Sequence, residues 1–171
     1  NKSSIQLKLD LPPVIKDYGD EPKPDQFGYS MSGDSNATAP YAMAFKSDGT
    51  KVYIADATSK LIYQYSLSTP FDVRDASMSY DSVSFNLQTS MSSSMTPASM
   101  FLKPDGTKMF LSVAGTINQY TLSTPWDITS AGSLVSITNT WDTATLGMFF
   151  SPDGTKLITC GQTAVVNAGL S

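Results

Sequence analysis

The stretch that decides the fold is Phe45-Lys46-Ser47-Asp48-Gly49-Thr50-Lys51-Val52-Tyr53, and the chain repeats its pattern twice more, at 102–110 and at 150–158. Each copy is an apolar run, a tight turn and a second apolar run, which predicts a β-hairpin. The Asp of the turn can accept backbone amide hydrogen bonds, and the Gly can take the left-handed conformation that a bulged hairpin loop needs. We therefore assign structural turn roles to Asp48 and Gly49, Asp105 and Gly106, and Asp153 and Gly154.

The sequence around these hairpins predicts repeated units of four antiparallel strands. The units span about residues 40–95, 96–143 and 144–171, and the third contains only three strands. The predicted strands are 41–45, 51–55, 61–67 and 80–87, then 98–102, 108–113, 116–122 and 133–138, then 146–150, 157–160 and 164–170. Repetition of such four-stranded meanders is the sequence signature of β-propeller blades. We therefore predict an all-β fold that is β-propeller-like, with two complete units and one partial unit.

Residues 1–39 form a separate N-terminal region in this prediction. Ile5, Leu7 and Leu9 alternate with polar residues, which indicates a half-buried strand. An acidic segment rich in Pro, Gly and Ser follows and is predicted to be a linker. Such a strand and linker could act as an arm that adds to the sheet of a neighbouring subunit.

An aromatic residue recurs between the third and fourth strands of the complete units. Phe71 and Trp126 each stand in a Ser-Thr-Pro-aromatic-Asp segment. We expect both rings to fill the space between neighbouring blades, and Asp72 and Asp127 to cap their own turns.

The repeated motifs resemble those of bacteriophage virion and tail-associated proteins. The resemblance rests on the three hairpins, on residues 63–72 and 119–127 with their Ser-Thr-Pro-aromatic-Asp segments, and on Tyr-Asp-Ser-Val-Ser-Phe at 80–85. It implies a structural or attachment component of a virion, in contact with other subunits of the same particle. Proteins with such repeats generally close a ring of six or seven blades. Three arrangements could cover the exposed faces and edges of so few units. The N-terminal strand could complete the last blade, several chains could form one homo-oligomeric ring, or the units could pack in a form other than a propeller.

Composition excludes several kinds of function. The chain has no His, so catalytic triads and zinc sites that use His are absent. No Gly-rich phosphate loop occurs, and we expect no catalytic residue, cofactor or metal. A net charge of −4 without a basic cluster argues against nucleic acid, and no apolar run is long enough to insert into a membrane. The lone Cys160 is expected to be a small buried residue.

The loops that interrupt the repeat are the remaining candidates for a ligand or interface. Trp141 and Asp142 have no counterpart in the first inter-unit loop and could contact a host-surface glycan or a protein. We therefore interpret the chain as a non-enzymatic structural or attachment protein of a virion. Its expected location is the virion or, alternatively, the secreted fraction or a cell surface. Two alternatives stay open: a lectin-like glycan-binding module, and a fragment of a secreted propeller enzyme of the lactonase kind.

Overall fold

A computed structural model describes residues 36–73, 77–89, 96–138, 145–161 and 165–169, and these residues form eleven β-strands. The strands are β1 (Pro40–Phe45), β2 (Lys51–Asp56), β3 (Leu61–Leu67), β4 (Met78–Asn86), β5 (Pro97–Leu102), β6 (Lys108–Val113), β7 (Thr116–Leu122), β8 (Ala131–Thr138), β9 (Thr145–Phe150), β10 (Lys156–Gly161) and β11 (Val165–Gly169). Short 3₁₀ turns follow β4 at Leu87–Thr89 and precede β8 at Ile128–Ser130. The predicted strand limits agree with these bounds to within two residues.

The strands form three antiparallel sheets, one for each repeat. The first two sheets have four strands in sequence order, and the third has three, in the order β11-β10-β9. Successive sheets lie beside one another through their first strands, since β1 contacts β5 and β5 contacts β9. This arrangement confirms the prediction of an all-β, β-propeller-like fold of antiparallel four-stranded sheets. We call β1, β5 and β9 the inner strands.

The alternation of side chains gives each sheet two faces. A large apolar core lies between the first and second sheets, and its fully buried members include Tyr53, Ala55, Met109 and Leu111. A smaller core lies between the second and third sheets, where Ile117, Phe150 and Leu157 are buried together. Because burial of apolar area is the main favourable contribution to folding, these two cores hold the neighbouring sheets together.

Strand direction also gives the stacked sheets two ends. The turn end carries the three Asp-Gly turns at 46–50, 103–107 and 151–155. The loop end carries the connections from the second to the third strand of the first two sheets and the starts of the inner strands. The two ends differ in regularity: the turns repeat, whereas the connection is 57–60 in the first sheet and only 114–115 in the second.

Phe71 and Cys160 are more exposed than the sequence predicted. Trp126 packs against the large core, but Phe71 is 57% exposed on the side of the first sheet that faces away from the second. The prediction of a buried Cys160 is wrong, because its side chain is exposed. Cys160 pairs with Gly147 on the side of the third sheet that faces away from the second, where no described residue covers it.

Candidate functional site

The turn end is built from the same contacts in each repeat. In the first turn, Asp48 Oδ1 accepts hydrogen bonds from the Thr50 amide at 3.0 Å and from Thr50 Oγ1 at 2.6 Å. Asp105 and Asp153 make the equivalent bonds with Thr107 and Thr155. The turn glycines Gly49, Gly106 and Gly154 each have a positive φ, between 70° and 74°.

These turn carboxylates are held in the ionised form. A hydrogen bond from Lys46 lowers the pKa of Asp48 well below its usual range, and Lys103 does the same for Asp105. In the third turn a hydrogen bond from the Ser151 hydroxyl lowers the pKa of Asp153. A general acid or base works best with a pKa near the working pH, so the three carboxylates suit turn formation better than proton transfer.

An aromatic ring lies directly on the turn glycine in the first two sheets. Phe71 and Trp126 both have a positive φ, 61° and 66°, which bulky residues rarely adopt. Their amides donate to the glycine carbonyls, Phe71 to Gly49 at 2.9 Å and Trp126 to Gly106 at 3.0 Å. A Cβ added at Gly106 would lie 2.5 Å from atoms of the Trp126 ring. Glycine is therefore needed there for close packing as well as for the backbone conformation.

Trp126 also joins its own sheet to the preceding one. The Tyr53 hydroxyl of the first sheet donates a 2.7 Å hydrogen bond to the Trp126 carbonyl. Burial raises the pKa of Tyr53, and the nearby carboxylates of Asp81 and Asp127 raise it further, so the phenol keeps its proton and remains a donor. The aromatic turn thus forms part of the contact between the first and second sheets.

No aromatic ring among the described residues covers the third turn. A cavity of about 850 Å³ lies there between the second and third sheets. Its walls include Phe110, Phe150, Lys108 and Gln119, and its rim is formed by the turns at 103–105 and 151–154. Gly154 is exposed, whereas Gly49 and Gly106 are buried.

The loop end contains a buried carboxylate that sequence reasoning missed. Asp56 is fully buried and accepts four hydrogen bonds, from the amides of Ala39, Thr58 and Ser59 and from the Ser59 hydroxyl, at 2.5 to 2.9 Å. Burial acts to raise the pKa of Asp56, but these donors outweigh it, so the pKa lies below its usual value. The sequence did contain a signal for this site. Asp56 ends β2, whereas the equivalent strands β6 and β10 end at the uncharged residues Val113 and Gly161, so the carboxylate is a departure from the repeat.

This carboxylate fixes the loop that follows it. Ser59 Oγ accepts from the Leu61 amide at 3.3 Å, and the Lys60 carbonyl accepts from the Leu87 amide at 3.0 Å. Lys60 itself has a φ of 59° and directs its ammonium group to Thr96 Oγ1, 3.4 Å away. Because Thr96 immediately precedes the inner strand β5, the Lys60 ammonium group lies at the loop end beside the start of that strand.

Several of the residues singled out from the sequence lie outside the described residues. These are Ile5, Leu7 and Leu9 of the proposed arm, and Trp141 and Asp142 of the proposed ligand loop. Thr138 and Thr145, which flank that loop, are both at the loop end. No described group of three or more carboxylate or thiol side chains could hold a metal ion. Among the described residues there is no helix long and apolar enough to cross a membrane.

Comparison with known proteins relates the fold to solved structures. No family model matches the sequence, and no curated protein matches it. A protein from Lactobacillus plantarum superposes with a TM-score of 0.55 at 14% identity, over 77% of this chain and 38% of its own. The periplasmic gluconolactonase of Pseudomonas aeruginosa superposes with a TM-score of 0.53 at 13% identity, over 74% of this chain and 33% of its own. A Trichoderma reesei carbohydrate-active enzyme of family AA12 superposes with a TM-score of 0.50 at 17% identity, over 72% of this chain and 30% of its own.

These structures correct the function expected from the repeats. Two of the three are enzymes, so four-stranded units of this kind also build enzymes and do not mark a virion component. The expectation of a non-enzymatic bacteriophage structural or attachment protein is therefore wrong. The chain spans between about a third and two fifths of the first two of these structures.

Proposed function

We propose that this chain forms three successive blades of a propeller enzyme that hydrolyses a sugar lactone, with the substrate bound at the loop end. The superposition with a periplasmic gluconolactonase supports this class of reaction, since it covers 74% of the chain. In this proposal the remainder of the ring is built from further blades. The alternative of a secreted propeller enzyme, left open by the sequence, is thus the one we favour.

The observation that carries the proposal is the rigid loop that presents Lys60. Functional groups in scaffolds of this kind lie on the loops that depart from the repeat. The turn end is regular and its carboxylates serve the turns, whereas the loop of Asp56 and Lys60 has no equivalent in the second sheet. Its buried carboxylate accepts four hydrogen bonds, three of them from the loop itself, so it positions the loop and leaves the Lys60 ammonium as the group that can meet a ligand.

The chemistry of lactone opening gives such an ammonium group a definite task. Attack of water on the ring carbonyl forms a C–O bond and places negative charge on the carbonyl oxygen. The ring C–O bond of the acyl group then breaks, a proton from the attacking water ends on the departing ring oxygen, and the carboxylic acid formed ionises to a carboxylate. A cation held in a preorganised position stabilises that charge better than bulk water does. Lys60 would therefore act as an electrostatic stabiliser of the oxyanion, and the ionised, fully bonded Asp56 would act as its positioning residue.

The test is hydrolysis of δ-gluconolactone by the complete protein that contains this chain. Acid release would be followed with a pH indicator in weak buffer, and the spontaneous rate subtracted. We expect a rate above the spontaneous one, and a loss of about 10² in kcat for Lys60→Asn, the size found when one oxyanion donor is removed. Asn is chosen because it tolerates the positive φ of this position.

The matched control is Lys46→Asn, which removes a lysine at the turn end, where it pairs with Asp48. This variant should hydrolyse the lactone at the wild-type rate. Wild-type protein that does not exceed the spontaneous rate would refute the proposed activity. Equal losses in the two variants would refute the assignment of the loop end.

A further inference from the structure

We propose that the cavity between the second and third sheets is a docking site for a Pro-aromatic-Asp turn that belongs to the third unit and lies outside the described residues, because Trp126 belongs to the same sheet as the Gly106 that it covers. The occupant would lay its aromatic ring on Gly154, as Trp126 lies on Gly106. This inference concerns assembly and does not depend on the lactonase proposal. It rests on the equivalent positions of the residues that line this cavity and the filled space at the first interface, where only the Tyr53 hydroxyl bond to Trp126 has no counterpart on Phe110.

The walls of the two spaces carry residues at equivalent strand positions. On the face of the first sheet that is turned toward the second, Tyr53 of β2 lies opposite Gln64 of β3, and Lys51 lies opposite Ser66. In the second sheet Phe110 pairs with Gln119, and Lys108 pairs with Thr121. Phe110, Gln119 and Lys108 all line the cavity. The second sheet therefore presents to the third the same kind of surface that the first presents to Trp126.

The floor of the two spaces is also equivalent. Gly106 and Gly154 have φ values of 74° and 70°, and the amide of each donates a 2.8 Å hydrogen bond to the carbonyl oxygen of the residue three positions earlier. A Cβ at Gly106 would collide with Trp126, whereas a Cβ at Gly154 would meet no atom within 4 Å. The Gly106 carbonyl accepts the Trp126 amide, but no backbone amide of the described residues donates to the Gly154 carbonyl. The ring site and its hydrogen-bond acceptor are both present.

Charge favours an occupant that carries an aspartate. In the first sheet, Lys51 Nζ forms a 2.6 Å ion pair with Asp81. The equivalent Lys108 forms no ion pair with a described residue, and it borders the cavity beside apolar rings. A Pro-aromatic-Asp turn supplies a ring for the Phe110 and Phe150 walls, and its negative charge has the sign that favours approach to this ammonium group.

The probe is a fluorescein-labelled peptide that copies residues 122–129, Leu-Ser-Thr-Pro-Trp-Asp-Ile-Thr, added to the purified chain. Fluorescence anisotropy should show saturable binding with a Kd below about 1 mM, the weak end of specific association. Replacing the Trp of the peptide with Ala should weaken binding at least tenfold.

The decisive variant is Gly154→Ala, because its Cβ would occupy the place of the incoming ring without contacting any described atom of the free chain. We expect unchanged β-sheet circular dichroism and at least a tenfold loss of peptide affinity. Lys156→Ala, an exposed residue two positions further on, should bind the peptide as wild type does. Absence of binding by the wild-type chain, or equal binding by the Gly154→Ala chain, would overturn the proposal. Self-association that the Gly154→Ala change abolishes, without peptide binding, would also overturn it by making a second copy the occupant.

Discussion

Substitution of alanine at two equivalent turn glycines should have unequal effects on stability. Gly106 and Gly154 share the left-handed conformation, which costs a residue with a Cβ about 1–2 kcal/mol. Only Gly106 lies beneath a ring, since its added Cβ would be 2.5 Å from Trp126. Such overpacking adds about 1–3 kcal/mol. We therefore expect Gly154→Ala to lower the free energy of unfolding by about 1–2 kcal/mol and Gly106→Ala to lower it by about 2–5 kcal/mol.

The measurement is urea unfolding followed by far-UV circular dichroism, with thermal melting as a second probe. For a chain of this length, 1 kcal/mol corresponds to roughly 2–4 °C in Tm, so the two variants should differ by several degrees. The pair is its own control, because backbone strain is common to both and cancels in the difference. A Gly106→Ala variant as stable as Gly154→Ala would show that Trp126 does not rest on its turn, and would refute the packing described at the first interface.

Three further predictions test other contacts. Tyr53→Phe removes the hydrogen bond to the Trp126 carbonyl and should lower the free energy of unfolding by about 0.5–1.5 kcal/mol in urea titrations, with no change if the bond is absent. Asp56 has a lowered folded-state pKa, so its contribution to stability is present above its usual pKa of 3.8 and is lost as the pH falls through the lower folded value. Asp56→Asn should therefore flatten the acid limb of a Tm-against-pH curve, and an unchanged limb would contradict this. Cys160 is exposed, so a thiol reagent should label the native protein at the rate of an unfolded control, and protection in the native state would contradict the exposure.

The strands were predictable because the information for them is local. An Asp-Gly-Thr-Lys turn specifies a hairpin through its own hydrogen bonds, and the apolar runs beside it specify the strands. Each of the three copies therefore predicted two strands and their connection. The recurrence of Ser-Thr-Pro-aromatic-Asp likewise predicted that Trp126 would pack between sheets.

The burial of individual side chains was harder to predict, because it depends on which neighbouring element covers each face of a sheet. Phe71 and Trp126 occupy the same position in their repeats, yet only Trp126 has another sheet of the described residues against it. Cys160 is exposed for the same reason, although its strand pattern suggested burial. Asp56 was overlooked because a carboxylate at a strand end looks like ordinary surface until the donors from Ala39 and Ser59 are placed around it.

The error about function has a related physical cause. The motifs that resembled virion proteins are turn and packing motifs, such as the segment around Trp126, and they report how a blade is built. A blade can serve an enzyme or a structural protein equally well, because function resides in the loops added to the fold. The loop of Asp56 and Lys60 is the described part of this chain that departs from the repeat in that way.

A crystal structure of the complete protein soaked with gluconate, the product of the proposed reaction, would show where the substrate binds. We expect the sugar acid at the loop end, with its carboxylate within hydrogen-bond distance of the Lys60 ammonium group and the loop still held by Asp56. Gluconate bound at the turn end or in the cavity beside Gly154, with the loop end empty, would refute the proposed site.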